Sequence, residues 1–287
     1  MPLDPDLTLH IEQNVQAALE EYVGTGDLTA RLIGEATPGR ATVITRQPMV
    51  LCGAGWFERC FHALHPNCEI RWQVQEGQAA TAGQVLCEIT GNARAMLTAE
   101  RPALNFLQLL SGVATETRRY VEAVAGTRAK IMDTRKTLPG LRHAQKYAVK
   151  VGGGHNQRIG LFDGILIKEN HILAAGGVQP ALRAALRMAP PGATVQIEVE
   201  DLDELRQALD AGARLVLLDN FDLQGMRDAV ALNDARGAAR AELEASGGVN
   251  LQTVRAIAET GVDRISIGSL TKDVRAADLS MRFTAGA

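Results

Sequence analysis

The 287-residue sequence has little of several features that mark particular classes of protein. Its formal net charge is only −3, which gives no general attraction to polyanions, so we expect no nucleic-acid partner. Its apolar runs, such as residues 215–218, are far shorter than the roughly 18 to 20 residues that cross a bilayer, so we expect no membrane partner. The first ten residues, MPLDPDLTLH, carry acids where a secretory signal carries bases. We therefore expect a cytoplasmic protein.

Cysteine is also scarce. The four cysteines, Cys52, Cys60, Cys68 and Cys87, lie in the first third of the chain, with no CxxC pair and no histidine at zinc-finger spacing. We therefore expect buried thiols that behave as small hydrophobic groups, and neither a structural zinc site nor a disulfide framework.

Charge is unevenly distributed along the chain. Residues 101–171 hold twelve basic against five acidic side chains, whereas residues 1–100 hold six against twelve. A cationic segment in a nearly neutral chain indicates a pocket for a small anionic ligand. The alternative is that many of these charges lie on solvated helix faces.

The apolar pattern of the first 125 residues predicts a small α+β unit. Residues 7–33 read as an amphipathic helix that ends at Gly24 and Gly26, followed by a GDLT turn. From Ala41 to Thr90 the period is two, which predicts three strands separated by glycine, asparagine and proline. A long helix is expected from about Leu97 to Ala125.

Beyond Gly126 short apolar runs alternate with amphipathic segments. The strands are predicted at residues 129–133, 164–168, 194–200, 214–219, 240–245 and 263–268. This alternation predicts a parallel sheet with crossover helices. Every predicted strand ends in a polar or glycine-rich cluster, as in a barrel, whereas a doubly wound sheet needs such clusters only at its switch point. The pattern favours an incomplete α/β barrel over a doubly wound sheet.

Candidate binding residues follow these strands. Four cations of the barrel segment and one before it suit carboxylate and phosphate ligands. They are Arg101, Arg135, Lys136, Arg158 and Lys168. Any one of them could instead be a surface cation.

Acids follow two neighbouring strands. Glu198 and Glu200 are two residues apart, so we expect both to face the barrel interior while Ile197 and Val199 pack under the helices. With Asp219, Glu198 could hold a hard cation through water or bind ribose hydroxyls. The alternative is charge balance for nearby lysine and arginine.

Two glycine-rich loops follow the last strands, with the sequences SGGVN and IGSLT. Backbone amides at helix N-termini bind anions, so these loops predict a phosphate site. Beside the triple glycine, His155 could contact substrate, whereas His171 is expected to cap a helix or to pack. No Ser-His-Asp order with an elbow motif appears, so acyl transfer is unsupported.

Six motifs in this order closely resemble the quinolinate phosphoribosyltransferase family: DTRKTLPGLRHAQKYAV, GGGHNQRIGLFDGILIKENH, IEVE, LLDN, ASGGVN and GVDRISIGSLT. The resemblance covers nearly the whole chain. It implies a small N-terminal α/β sandwich domain (residues 1–112), an incomplete TIM-like α/β barrel (residues 113–271) and a return of residues 272–287 to the small domain. It also implies a homodimer with shared active sites, with assembly into a hexamer left open.

The resemblance implies transfer of phosphoribose from 5-phosphoribosyl 1-pyrophosphate to quinolinate with Mg²⁺ and decarboxylation. Its catalytic residues correspond to Lys136, Glu198 and Asp219, of which the two acids also face the metal. The substrate-binding residues, of which the first comes from the neighbouring subunit, correspond to Arg101, Thr134, Arg135, Lys136, His155, Gln157, Arg158, Lys168, Glu198, Asp219, Ser246, Gly247, Gly248, Gly268 and Ser269.

One position departs from the family pattern, which usually has asparagine, histidine and arginine after the glycines. This sequence has Asn156, Gln157 and Arg158. Glutamine donates hydrogen bonds but carries no charge, and our hypothesis is that Gln157 orients Arg158 or a quinolinate carboxylate.

Three alternative functions stay open. A paralogue on the same scaffold, such as the related protein found with molybdate transport systems, would use another substrate. A non-catalytic ligand sensor would keep the cationic pocket without needing Glu198 and Asp219. A Schiff-base aldolase would use Lys168, although several neighbouring cations fit such a substrate poorly.

Overall fold

The computed structural model describes residues 5–284, which form two compact units. The first comprises the described residues up to Arg118, the segment Thr137–Gly153 and the described residues from Leu270 onwards. The second comprises Arg119–Lys136 and Gly154–Ser269. Thr137–Gly153 thus belongs with the first unit, although the sequence suggested a continuous barrel segment there.

The elements up to residue 123 are α1 (Pro5–Val23), β1 (Pro38–Thr45), β2 (Met49–Val50), α2 (Ala54–Leu64), β3 (Glu69–Trp72), β4 (Ala79–Ala80), β5 (Val85–Asn92) and α3 (Ala93–Ala123). They are followed by β6 (Lys130–Met132), α4 (Arg142–Val151), β7 (Gly164–Ile167), α5 (Glu169–Ala174), α6 (Val178–Met188), β8 (Thr194–Val199), α7 (Leu202–Asp210), β9 (Leu215–Asp219), α8 (Leu223–Asp234), β10 (Glu242–Ser246), α9 (Val254–Ala258), β11 (Arg264–Ser266), α10 (Ser269–Lys272) and β12 (Leu279–Phe283).

The first unit is built on a four-stranded antiparallel sheet in the order β12-β1-β5-β3. Its core includes the fully buried aromatic side chains of α2 and three leucines of α3, Leu104, Leu107 and Leu110. The sequence analysis missed α2, a helix of eleven residues between two strands. Its buried Trp56, Phe57, Cys60 and Phe61 follow the helical period and could have revealed it.

The second unit contains a six-stranded sheet in the order β6-β11-β10-β9-β8-β7. All its pairings are parallel, and within the described residues β6 and β7 at its two edges do not pair with each other. From β7 to β11 the strands lie side by side in chain order, without the reversal that marks a doubly wound sheet. The sheet is therefore an open α/β barrel, which confirms the predicted fold class. Each of the six predicted strands is also confirmed to within two residues at either end.

Alternation along the strands decides which side chains face the helices. Ile197 and Val199 on β8 are fully buried, as predicted, and so are Leu218 on β9 and Ile265 on β11. The residues that alternate with these along the strands point the other way and line a cavity at the carboxyl ends of the strands. They are Glu198, Leu217, Asp219 and Ser266. In the part of the chain that is described, no helix is both long and apolar enough for a membrane span.

Candidate active site

The second unit holds a cavity of about 260 Å³. Nine predicted site residues line it: Thr134, Arg135, Lys136, Gln157, Arg158, Lys168, Glu198, Asp219 and Ser246. Leu166, Gln196, Leu217, Glu244 and Ser266 complete the lining. The site therefore lies where the active sites of α/β barrels are found.

The loop after β6 supplies Thr134, Arg135 and Lys136. The hydroxyl of Thr134 accepts a hydrogen bond of 3.0 Å from the backbone amide of Lys136, which folds the loop into a tight turn. Gly268 lies against the Lys136 side chain, because a Cβ atom there would be 3.1 Å from its Cδ. The small residue leaves room for the lysine, and Ser269 begins α10 directly afterwards.

Two further cations extend the wall of the cavity. The Arg158 guanidinium donates a 2.9 Å hydrogen bond to the carbonyl of Gly164. Burial, and then the charge of Arg135, lower the pKa of Arg158, although an arginine stays protonated under such conditions. Lys168 Nζ lies 3.1 Å from Glu198 Oε2. The cationic wall is therefore joined directly to an acidic one.

Glu198 and Asp219 form that acidic wall from the neighbouring strands β8 and β9. Asn220 donates from Nδ2 to Asp219 Oδ2 at 3.0 Å and from its backbone amide to the Ser246 carbonyl at 3.0 Å. A Cβ on Gly247 would overlap Oδ1 of Asn220, so only glycine fits there. The Asp219 carboxylate is thus held by Asn220, which is itself bound to the end of the neighbouring strand β10.

The expectation that Glu200 also faces the interior is wrong. Strand β8 ends at Val199, and the chain turns at Glu200, whose backbone amide donates 2.9 Å to the Glu204 carboxylate. Glu200 is exposed and is absent from the cavity lining. Its pKa is raised, first by the charge of Glu169 and then by slight burial and three other carboxylates.

The predicted phosphate loop divides between two places. Ser246 lines the cavity, whereas Gly247 and Gly248 line a more open cleft of about 410 Å³ together with Phe221, Gln252 and Thr253. Both glycines have positive φ, 108° and 59°, so the loop turns sharply between strand and helix.

Arg101 and His155 are not among the residues that line the cavity. Arg101 is exposed on α3 in the first unit. His155 forms backbone hydrogen bonds with Ile131 and Asp133, and the residue as a whole is exposed. Burial first, and then the charges of Lys130 and Arg264, lower the pKa of His155.

His171 caps α5, as predicted: its Nδ1 accepts a 3.1 Å hydrogen bond from the Lys168 backbone amide.

The floor of the cavity contains three polar side chains that the sequence analysis missed. Gln196, Glu244 and Ser266 are all buried. Gln196 lies two residues before Glu198, and Glu244 lies two residues before Ser246, so each points to the same side as a predicted site residue. The period of two along each strand gives the side to which both residues point but not their depth in the barrel.

Gln157 is bound into this floor. Its Nε2 donates to both carboxylate oxygens of Glu244, each at 2.5 Å, and lies 3.2 Å from Gln196 Oε1. Gln196 Nε2 donates to Glu244 Oε2 at 3.1 Å. Burial raises the pKa of Glu244, and hydrogen bonds from Gln157, Gln196 and Ser266 oppose that shift.

Glu198 and Asp219 also suit a divalent metal ion, because Mg²⁺ is held by one or two carboxylates together with substrate phosphates.

A second group of possible metal ligands, Asp6, His10 and His143, lies in the first unit. The two imidazole rings stack with their centroids 3.6 Å apart and their planes 23° apart. Stacked rings direct their lone pairs along nearly parallel planes instead of towards one ion, so we assign no metal to this group.

The fold and the cavity together define an α/β-barrel enzyme for small anionic substrates. Two sequence profiles match the chain: "Quinolinate phosphoribosyl transferase, N-terminal domain" over residues 27–111 and "Quinolinate phosphoribosyl transferase, C-terminal domain" over residues 113–282. The chain belongs to the quinolinate phosphoribosyltransferase family.

Similar proteins agree with this assignment. The chain is 42% identical over 277 residues to the nicotinate-nucleotide pyrophosphorylase [carboxylating] of Mycobacterium leprae, covering 93% of this chain and 95% of that protein. It is 39% identical to a probable enzyme of the same name from Bacillus subtilis, over 92% and 90% of the two chains. The solved nicotinate-nucleotide pyrophosphorylase from Francisella tularensis is 43% identical, with a TM-score of 0.92 over 96% of this chain and 97% of that one.

Proposed function

We propose that the protein transfers phosphoribose from 5-phosphoribosyl 1-pyrophosphate to quinolinate, with loss of CO₂ and pyrophosphate, to give nicotinate mononucleotide in NAD biosynthesis. One observation carries this proposal: four cations and three carboxylates converge on a single barrel cavity. The names of the relatives at 39% and 42% identity support it.

The cations suit the two carboxylates of quinolinate. Arg135 and Arg158 present planar forks that pair with carboxylates through two hydrogen bonds each. Lys168 supplies a point charge beside them while it remains paired with Glu198. Nicotinate, with one carboxylate, would leave part of this positive charge uncompensated.

Lys136, Glu198 and Asp219 serve the transfer step. Departure of pyrophosphate leaves positive charge on the ribose carbon, which the carboxylates of Glu198 and Asp219 stabilise. Lys136 offsets the negative charge of the leaving group. The quinolinate nitrogen forms the new bond to ribose as the bond to pyrophosphate breaks, and no strong general base is required.

The proposal includes Mg²⁺, held by Glu198 and Asp219 through oxygen, directly or through water. When bound, Mg²⁺ supplies positive charge that neutralises pyrophosphate oxygens. The two acids lie on neighbouring strands in the cavity, and Asn220 supports one of them, so the donor set fits such an ion.

Decarboxylation follows from the new bond. The pyridine nitrogen becomes cationic, so the electron pair left on the adjacent ring carbon when the C–CO₂ bond breaks is stabilised, and that carbon then takes a proton. The protein contributes orientation and exclusion of water. The 5-phosphate would bind beside Ser246, Gly247, Gly248, Gly268 and Ser269, which is consistent with the two positive-φ glycines of the first loop.

The proposal extends to assembly and location. Arg101 would contact quinolinate bound to the partner of a homodimer, which agrees with its exposure on α3. Thr134 and His155 stay predicted substrate contacts, and a hexamer and a cytoplasmic location stay predictions.

The direct test supplies purified protein with 5-phosphoribosyl 1-pyrophosphate and Mg²⁺, with quinolinate in one reaction and nicotinate in another. We expect CO₂ and pyrophosphate to be released with quinolinate alone. Pyrophosphate release with nicotinate instead would contradict the proposed substrate, and no release with either acid would favour a paralogous activity.

A further inference from the structure

The reaction proposed above gives no role to Gln196 and Glu244, although both lie in the floor of the cavity. Glu244 has 0% and Gln196 has 3% of its surface exposed. Burying a carboxylate is costly unless donors satisfy it, and here the side chains of Gln157 and Gln196 donate to it. Packing alone does not explain why a buried carboxylate lies in the floor of a binding cavity.

The hydrogen bonds determine how the two amides are oriented. Both Gln157 and Gln196 turn their nitrogens towards Glu244, whose carboxylate oxygens accept from them. Gln196 Oε1 then accepts from Gln157 Nε2 at 3.2 Å, which closes a ring of three side chains. Glu244 thus selects one orientation of the Gln157 amide out of two.

Gln157 is also fixed through its backbone. Its amide nitrogen donates a 2.8 Å hydrogen bond to Asp133 Oδ1. The next residue, Arg158, is anchored through its guanidinium on Gly164. Gln157 is therefore held at both its backbone and its side chain, next to Arg158, a cation that lines the cavity. It presents its polar groups in one geometry.

We propose that Glu244 is a positioning residue for the site that binds the pyridine dicarboxylate, holding Gln157 in place directly and with the help of Gln196, which contacts both. The inference rests on the proposed function. Fixing the amide before the substrate arrives removes the ordering cost that a freely rotating glutamine would add to binding. Glu244 itself touches no substrate; it acts through Gln157.

The first test is Glu244→Gln, which keeps the size of the side chain but turns an NH₂ group towards two other donors. We expect the KM for quinolinate to rise by about tenfold or more while kcat and the KM for 5-phosphoribosyl 1-pyrophosphate change by less than about threefold. The matched control is Glu242→Gln. Glu242 begins the same strand, pairs with Arg264 and does not line the cavity.

Calorimetric titration of quinolinate, without the second substrate, separates this inference from the proposed function. No binding to the wild type would overturn both. Binding that is equal in the wild type and in Glu244→Gln would overturn the positioning role alone.

A double-mutant cycle distinguishes positioning from general structural support. In a Gln157→Ala background, Glu244→Gln should raise the quinolinate KM by less than about twofold, since the residue it positions is gone. Equal effects in both backgrounds would refute the inference. If Glu244→Gln does not fold, the cycle is run with Glu244→Asp, which keeps a carboxylate but shortens its reach to Gln157, and the same criterion applies.

Discussion

Asn220 holds the Asp219 carboxylate from a backbone conformation that few residues adopt. Among residues 5–284 it is the one non-glycine residue with positive φ, 55°, and its Nδ2 lies 3.0 Å from Asp219 Oδ2. Asparagine tolerates the left-handed region better than most residues, because its short side chain bonds locally. Strain of this kind is concentrated at functional sites, and here it orients a proposed catalytic acid.

We therefore predict that Asn220→Gly lowers kcat by about ten- to a hundredfold, since a hydrogen bond to a charged group is worth roughly 1.5–3 kcal/mol. Glycine keeps the backbone conformation, so the unfolding midpoint in denaturant should change little. Asn220→Ala should lose both activity and stability. Full activity in Asn220→Gly would show that Asp219 needs no support from this side chain.

Gly247 and Gly248 offer a second comparison, this time of stability. Both have positive φ, but a Cβ on Gly247 would overlap Asn220, whereas nothing lies within 4 Å of the Cβ position on Gly248. We expect Gly247→Ala to reduce the free energy of unfolding by about 2–4 kcal/mol and Gly248→Ala by about 1 kcal/mol. Urea denaturation followed by circular dichroism measures both values, and equal losses would mean that the contact with Asn220 relaxes without cost.

The strands and the cations of the site could be predicted from the sequence because both depend on local pattern. Arg135 and Lys168 follow apolar runs, and parallel strands bring such ends to one edge. Glu244 could not be found in this way, because Glu242 on the same strand has the same alternation and yet is partly exposed and paired with Arg264. Only depth within the barrel distinguishes the two acids.

The position of Thr137–Gly153 could not be predicted for a different reason. The segment contains an amphipathic helix that reads like any crossover helix. Its Gln145 side chain donates 2.8 Å to the carbonyl of Thr271, 126 residues away. Such a pairing depends on the return of the chain from Leu270 onwards, which no local pattern encodes.

Burial of Glu244 predicts a pH dependence of stability. Its pKa is raised in the folded protein by burial, so folding favours its protonated form. The stabilising effect of that form is complete below the ordinary glutamate pKa of about 4.5 and is lost as pH rises through the folded-state value. The wild type should therefore lose stability relative to Glu244→Gln as pH increases from about 4.5. Denaturant midpoints of both proteins across this range provide the measurement, and a constant difference would mean that the folded protein does not raise this pKa.

We predict that Lys136 contributes to kcat. Its side chain lines the cavity beside Gly268, where it would offset the charge of pyrophosphate as it leaves. Lys136→Ala should lower kcat by about a hundredfold or more, as loss of a transition-state charge contact does. The control is Lys130→Ala, which removes a lysine that begins β6 and lies 3.8 Å from Glu242. Comparable losses in the two variants would remove Lys136 from the catalytic residues.

Arg101 allows the proposed shared site to be tested by mixing subunits. Arg101→Ala should raise the quinolinate KM, and Lys136→Ala should abolish turnover, so neither homodimer is active at low quinolinate. If Arg101 serves the partner's barrel, a mixed dimer places both substitutions in one site and leaves the other site intact. Random pairing on co-expression should then restore about a quarter of the wild-type activity. Sedimentation of the mixture verifies that dimers form. Absence of recovery in dimers, or an active monomer, would contradict a site completed by the neighbouring subunit.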